Sequence, residues 1–209
     1  MPSAMASGGT PWRCYVALAP ATAVLRELAT RLAPMRAAFP DARWTEPDDV
    51  HLTLVFLGSI PVVRVPAVAA IVDDVAARSA PFRLAIGGAG HFGGRGRPRV
   101  SWLGVGEGAA AVGALEASLR ARLATLPGLV AVGEVGVSFP HLTVARRAPE
   151  ALASHLRTAF AAQPTVWLAD RITLYRSDLG RQGARHEPIS SAALGRDLTE
   201  HLRGTARHG

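Results

Sequence analysis

Two histidines, 90 positions apart, are each followed two residues later by a threonine: HLTL from His51 and HLTV from His141. On an extended chain His51 and Thr53 point the same way, as do His141 and Thr143. Imidazole is the side chain whose proton moves near neutral pH. Two imidazoles facing a common point act as acid and base, each contributing about 10²–10⁴ in rate. Two hydroxyls add hydrogen bonds, and an arginine adds fixed positive charge. Together these groups suit in-line displacement at phosphorus, where equatorial oxygens need donors and apical oxygens exchange protons. A lone strand histidine is more often structural. The duplication, each copy opening a strand, is what gives the chemistry weight.

The chain must place those residues. In HLTLVFLGS, Leu52, Leu54 and Phe56 alternate with His51, Thr53 and Val55, which predicts a strand with one apolar face. Leu142 and Val144 do the same for HLTVAR. Further strands are predicted at Trp12–Ala19, Pro81–Ile86, Arg99–Val105, Glu134–Phe139, Val166–Arg176 and, briefly, Arg185–Ile189. Helices are predicted at Ala21–Leu32, with Pro34 ending or distorting the first, then at Pro66–Arg78, Glu107–Leu126 and Pro149–Ala162. The glycines of 87–98 predict a loop. Each half runs strand, helix, loop, His-Leu-Thr strand, helix, strand. Two equivalent lobes about an approximate two-fold would bring the histidines to opposite sides of one cleft.

The totals set the class. With 209 residues and 49% hydrophobic, the chain can bury a sizeable core as one domain or two small lobes. The formal charge is +7, carried by arginine with no lysine, so an anionic partner fits. Cys14 is the one cysteine, which rules out an internal disulfide and suits packing. The opening lacks the pattern of a secretory signal, and the apolar run 14–25 is too short to span a bilayer. The expectation is a cytoplasmic monomer with no membrane contact and no obligate protein partner. Residues 1–11 are expected to be a disordered start, 12–191 a single bilobal domain, and 192–209 a tail.

These residues resemble the 2H phosphoesterase superfamily, named for two H-x-(T/S)-x motifs, and within it the RNA 2′,3′-cyclic phosphodiesterases, historically called 2′-5′ RNA ligases. The likeness rests on HLTL and HLTVAR, and also on RWTEPDDVHLTLVFLG, RPRVSWLGV and ITLYRSDLG. It implies an α+β fold of two similar lobes, with antiparallel sheets lining a central cleft and helices outside. It implies hydrolysis of an RNA 2′,3′-cyclic phosphate to a 2′-phosphate without a metal or other cofactor. His51 and His141 correspond to the motif histidines, Thr53 and Thr143 to the phosphate-binding hydroxyls, and Arg146 to the arginine after the second motif. In our allocation His141 deprotonates water and His51 protonates the departing 3′-oxygen, with the exchange left open. The reverse reaction would make a 2′-5′ linkage. One departure is visible. Where the family commonly has an aromatic after LYxSxLG, this chain has GARHEPI, with His186 either stacking on substrate or ending a strand.

Secondary candidates follow. In HFGGRGRPR, Phe92 beside Arg95, Arg97 and Arg99 suits base stacking and phosphate contact, against a solvated loop. Tyr175 and Arg176 are candidates for the cleft wall, Tyr175 equally for core. Trp44 reads as packing, Glu46, Asp48 and Asp49 as a solvated acidic turn, and Arg147 as pointing away from Arg146. Three rivals stand: a cyclic phosphodiesterase of a small nucleotide such as ADP-ribose cyclic phosphate, a metal site built from His51, His141 and His91 or His186, and a non-catalytic RNA-binding module. The metal site is disfavoured because neither motif has a close second ligand.

Overall fold

A computed structural model describes residues 10–93, 100–129, 139–161, 163–180 and 183–195. The expected disordered start through Gly9, the tail from Arg196, Arg95, Arg97 and Arg99, and the predicted strand over 134–138 lie outside the described residues. Among the described residues, no helix is long and apolar enough to cross a membrane.

Among the described residues nine strands form one antiparallel sheet, curled rather than flat. They are β1 (Trp12–Leu18), β2 (Arg43–Trp44), β3 (Leu52–Ile60), β4 (Phe82–Phe92), β5 (Val100–Val105), β6 (His141–Arg146), β7 (Thr165–Ala169), β8 (Arg171–Gly180) and β9 (Gly183–Ala193). The order is β7-β4-β5-β6-β3-β1-β8-β9, with β2 added to β6. The two motif strands, β3 and β6, are therefore neighbours at the middle of the sheet. They meet at one pair, Leu52 opposite Leu142. That pair is the seam between two four-stranded halves and lies on the approximate two-fold.

The lobes are not the sequence halves. β4, from the first half, pairs with β5 and β7, while β8, from the second, pairs with β1. The predicted single strand Val166–Arg176 is two strands. The chain leaves β7 at one sheet edge and, after Asp170 alone, enters β8 on the other lobe. One residue spans only about 3.3–3.6 Å, so the two ends of the sheet must curl toward each other.

Among the described residues four α-helices cover the face that carries Leu52 and Leu142: α1 (Thr22–Ala38), α2 (Val65–Ala77), α3 (Ala109–Leu123) and α4 (Glu150–Ala161). α2 and α3 pack together over β8, β9 and β3, and α4 lies on β4 and β5 beside α1. Leu52, Leu142, Leu84, Leu103, Leu119 and Phe160 are fully buried between these layers. The first helix runs six residues past its predicted end, through Pro34. Pro34 costs one backbone hydrogen bond, but it sits on the exposed side. Met35, with Leu28 and Leu32, keeps the next turn anchored in the core.

The glycine-rich stretch predicted as a loop is strand as far as Phe92. Gly90 explains why glycine is needed there: a Cβ would sit 2.4 Å from the Trp102 indole on β5. The last strand is longer than predicted and runs to Ala193. Cys14 is buried, as its apolar setting implied, and burial pushes its thiol up to about 11.

Gly108, before α3, has φ +86°, and a Cβ there would lie 2.3 Å from the Arg83 carbonyl oxygen. Left-handed strain and the backbone collision together should make Gly108→Ala cost about 2–4 kcal/mol in chemical denaturation. Gly113, inside α3 with open space around it, should give the opposite sign. Gly113→Ala is expected to stabilise by about 0.5–1 kcal/mol.

Candidate active site

The seam positions the motif residues. With Leu52 and Leu142 opposed and turned into the core, antiparallel register carries His51 toward Thr143 and Thr53 toward His141 on the uncovered face. All four are half-buried.

Each imidazole is tied the same way. The Nδ1 of His51 lies 2.7 Å from the Asp49 carbonyl oxygen, and that of His141 lies 2.8 Å from the Phe139 carbonyl oxygen. A carbonyl accepts only, so Nδ1 carries the proton and donates. Nε2 of each neutral ring is left as the free base. The carbonyl two residues before the histidine thus fixes both tautomers.

The motif strands share a second device. In β3, Ala17 pairs with Thr53 and Val16 with Val55, leaving Leu54 as an extra residue. In β6, Trp102 pairs with Thr143 and Ser101 with Ala145, leaving Val144 as the extra residue. Both bulges fall three residues after the motif histidine. Each inserts one residue and so reverses which side chains face the site beyond it. Leu54 and Val55 are both buried, as are Val144 and Ala145. Simple alternation would send Arg146 into the core with Leu142. The bulge returns it to the face of His141 and Thr143, and its charge depresses the pKa of His51, His141 and His186 alike.

The same bulge corrects the sequence reading of Phe56. Predicted on the apolar face, it is 50% exposed, while Val55 is fully buried. Phe56 is the first motif's counterpart of Arg146, each five residues after its histidine.

Aromatic rings flank both imidazoles. Tyr15, on β1, stacks on His51 with centroids 4.8 Å apart and on Tyr175 at 5.1 Å. Tyr175, left by the sequence between cleft wall and core, stands on the site face, 6.2 Å from His51. Beyond it opens a cavity of about 650 Å³ bounded by Trp167, Arg171, Thr173 and Ser191. On the other side, Phe92 meets His141 edge-on at 4.8 Å and is 41% exposed. Trp102 and the exposed Phe139 complete that wall. His186 stands edge-on to His51 at 5.2 Å, inside the site. Arg176 turns away, lying over Trp12 and pairing with Asp178. Trp44 packs as read, donating from its indole to the Phe39 carbonyl. His91 alternates with Phe92 and faces away from the site.

Sequence reasoning missed Tyr15, Phe56, Trp102 and Phe139. Only Phe56 carried a signal, its matching offset to Arg146. Tyr15 and Trp102 come from strands whose neighbours are set by long-range pairing, and Phe139 precedes β6.

The electrostatics are uneven. Burial, with repulsion from His186, Arg146 and His141, holds His51 down to about 4 against the backbone bond that opposes it. His141 is also lowered, chiefly by burial and then by Arg146. Burial raises the Tyr15 and Tyr175 hydroxyls above the ordinary phenol range, so both stay neutral donors. Among the described residues, no group of three metal-ligating side chains converges.

Known proteins resemble this chain over most of its length. The family model described as the 2′-5′ RNA ligase superfamily matches residues 21–181. A Thermus thermophilus protein named RNA 2′,3′-cyclic phosphodiesterase is 34% identical over 175 residues, covering 82% of this chain and 83% of that one. A Geobacillus stearothermophilus protein of the same name is 31% identical over 194 residues, 86% of this chain, and the match spans 57% of its length. The crystal structure of Escherichia coli LigT in apo form superposes with a TM-score of 0.68 at 25% identity, over 89% of this chain and 99% of that one. With the duplicated motif, the curled sheet and a family match over most of its length, the chain belongs to the 2′-5′ RNA ligase superfamily.

Proposed function

We propose that this protein opens the 2′,3′-cyclic phosphate at the end of an RNA, leaving a 2′-phosphate. The observation that carries this reading is the matched pair of imidazoles, each locked with Nε2 free, on either side of one central strand pair. Water attacks phosphorus in line with the 3′-oxygen. One Nε2 takes the water proton as the new P–O bond forms, and the other imidazolium gives its proton to O3′ as the P–O3′ bond breaks. Thr53, Thr143 and Arg146 meet the charge gathering on the non-bridging oxygens. Exposed Phe92 and Phe139, with Phe56 near Tyr15, offer faces for stacked bases. A ribose 5′-hydroxyl in place of water, with the two imidazoles in the same roles, would form a 2′-5′ linkage as O3′ leaves.

The competent state carries one proton on the imidazole pair. His51 is the more deeply buried ring and also carries the repulsion of His186, so the shared proton is favoured on His141. This favours His51 as base and His141 as acid, the exchange of the first allocation. A substrate with sulphur in place of the bridging 3′-oxygen needs no acid to leave. It should restore His141→Ala at least about tenfold relative to the oxygen substrate, and His51→Ala hardly at all. Rescue of His51→Ala alone would reverse the roles.

The reading as a whole is tested with a cyclic-phosphate-ended oligoribonucleotide in the presence of chelator, identifying which oxygen keeps the phosphorus. Sustained turnover to a 2′-phosphate is expected. Comparison with a mononucleotide cyclic phosphate separates an RNA enzyme from one acting on small nucleotides. RNA binding that survives loss of both histidines, without turnover in the parent, would favour a binding module.

A further inference from the structure

Three imidazoles stand on the site face, two of them, His51 and His186, in ring contact, and His186 is held differently from the other two. His186 lies on β9 opposite Ser177 of β8. Its ring is edge-on to His51 at 5.2 Å and to Tyr15 at 5.3 Å, so it points into the site between them. The Asp49 carboxylate and the Arg146 guanidinium both act on it. His51 and His141 each have Nδ1 tied to a backbone carbonyl. The Nδ1 of His186 is buried with no hydrogen-bond partner among the described residues. An untied ring is not committed to one tautomer, which makes it a poor relay for a defined proton. It is free instead to put its N–H wherever an acceptor arrives.

We infer that His186 is a third substrate contact, donating from Nε2 to a non-bridging oxygen of the phosphate anion held by Thr53, Thr143 and Arg146. The inference rests on the phosphate reading of the site above. With Nδ1 enclosed and unpaired, the tautomer protonated at Nε2 gains most when an anion enters. His186 then secures the substrate without taking part in proton transfer to water or O3′. Its effect falls on binding, and an aromatic without a donor cannot replace it.

The test compares the parent with His186→Phe, which keeps the ring, and His186→Gln, which keeps a donor, on a cyclic-phosphate-ended oligoribonucleotide. His186→Phe should raise KM about tenfold with kcat within threefold. His186→Gln should hold KM within about threefold of the parent. Unchanged KM in both variants would overturn the inference, since the ring would then only pack. A kcat loss as large as that of His51→Ala would overturn it too, because His186 would then act through His51. A readout independent of turnover and of variants is titration of the parent with inorganic phosphate, followed by NMR of the imidazole signals. His186 should shift with the same apparent Kd as His51 and His141, and a still His186 ring beside two that move would reject the contact. If the parent fails to open the cyclic phosphate but this titration moves all three rings, the reaction assignment fails while the anion contact stands.

Discussion

Replacing either His51 or His141 with alanine is expected to lower kcat for cyclic-phosphate opening by at least about 10³-fold, with the fold intact. In the proposed displacement each ring supplies one of two proton transfers, and a general acid or base is worth about 10²–10⁴. The carbonyl ties give each transfer a defined nitrogen, so removing one ring leaves no neighbour placed to substitute. The double variant should fall little further than the worse single one, because groups acting as a unit are not additive. Circular dichroism and denaturant midpoints check the fold. A well-folded single variant retaining more than about a tenth of parental kcat would remove the pair from the mechanism.

Stability against pH should move as well. His51 has a folded pKa of about 4, below the unfolded value near 6.5. Protonation therefore favours the unfolded chain. Its neutral form is fully accommodated above pH 6.5, and stability is lost as pH falls from there toward 4. His51→Ala should lose less stability than the parent across that window.

The second large effect is at Arg146. Arg146→Ala should lower kcat/KM by about 10²–10³-fold, the range for removing one preorganised charge donor from a developing anion. Arg146→Lys should recover part of this, since a point charge replaces a planar fork. The pH profile gives an independent sign. Arg146 depresses both motif histidines. Without that positive neighbour both pKa values rise. The acid limb, where the base becomes protonated, and the alkaline limb, where the acid loses its proton, should both move to higher pH. A profile that stays in place while activity falls would mean that Arg146 contacts substrate without tuning the imidazoles.

The parts legible in the sequence were those encoded locally. His51, Thr53, His141 and Thr143 could be placed on common faces because each pair lies ahead of the bulge in its strand, where two-residue alternation holds. Leu52 and Leu142 could be read as inward for the same reason. The helices were read from the spacing of residues such as Val68, Val72 and Val75, or Leu115 and Leu119, which fixes an apolar stripe wherever the helix finally packs. Arg146 was reached through family likeness, since strict alternation would have buried it.

Other features depended on long-range partners. Whether Phe56 faces the core or the site turns on one inserted residue, Leu54, and a bulge is a property of two paired strands rather than of either alone. Gly87, Gly88 and Gly90 read as a loop because glycine weakens a strand in isolation, but the Trp102 indole across β5 makes glycine the residue that fits at 90. Tyr15, Phe92 and His186 come from β1, β4 and β9, and only the curl of the sheet gathers them around the motif rings. Periodicity along the chain thus indicated which residues could do chemistry and, ahead of the bulges, which way each would point. Strand pairing, set by packing between residues far apart in sequence, decided which of them meet.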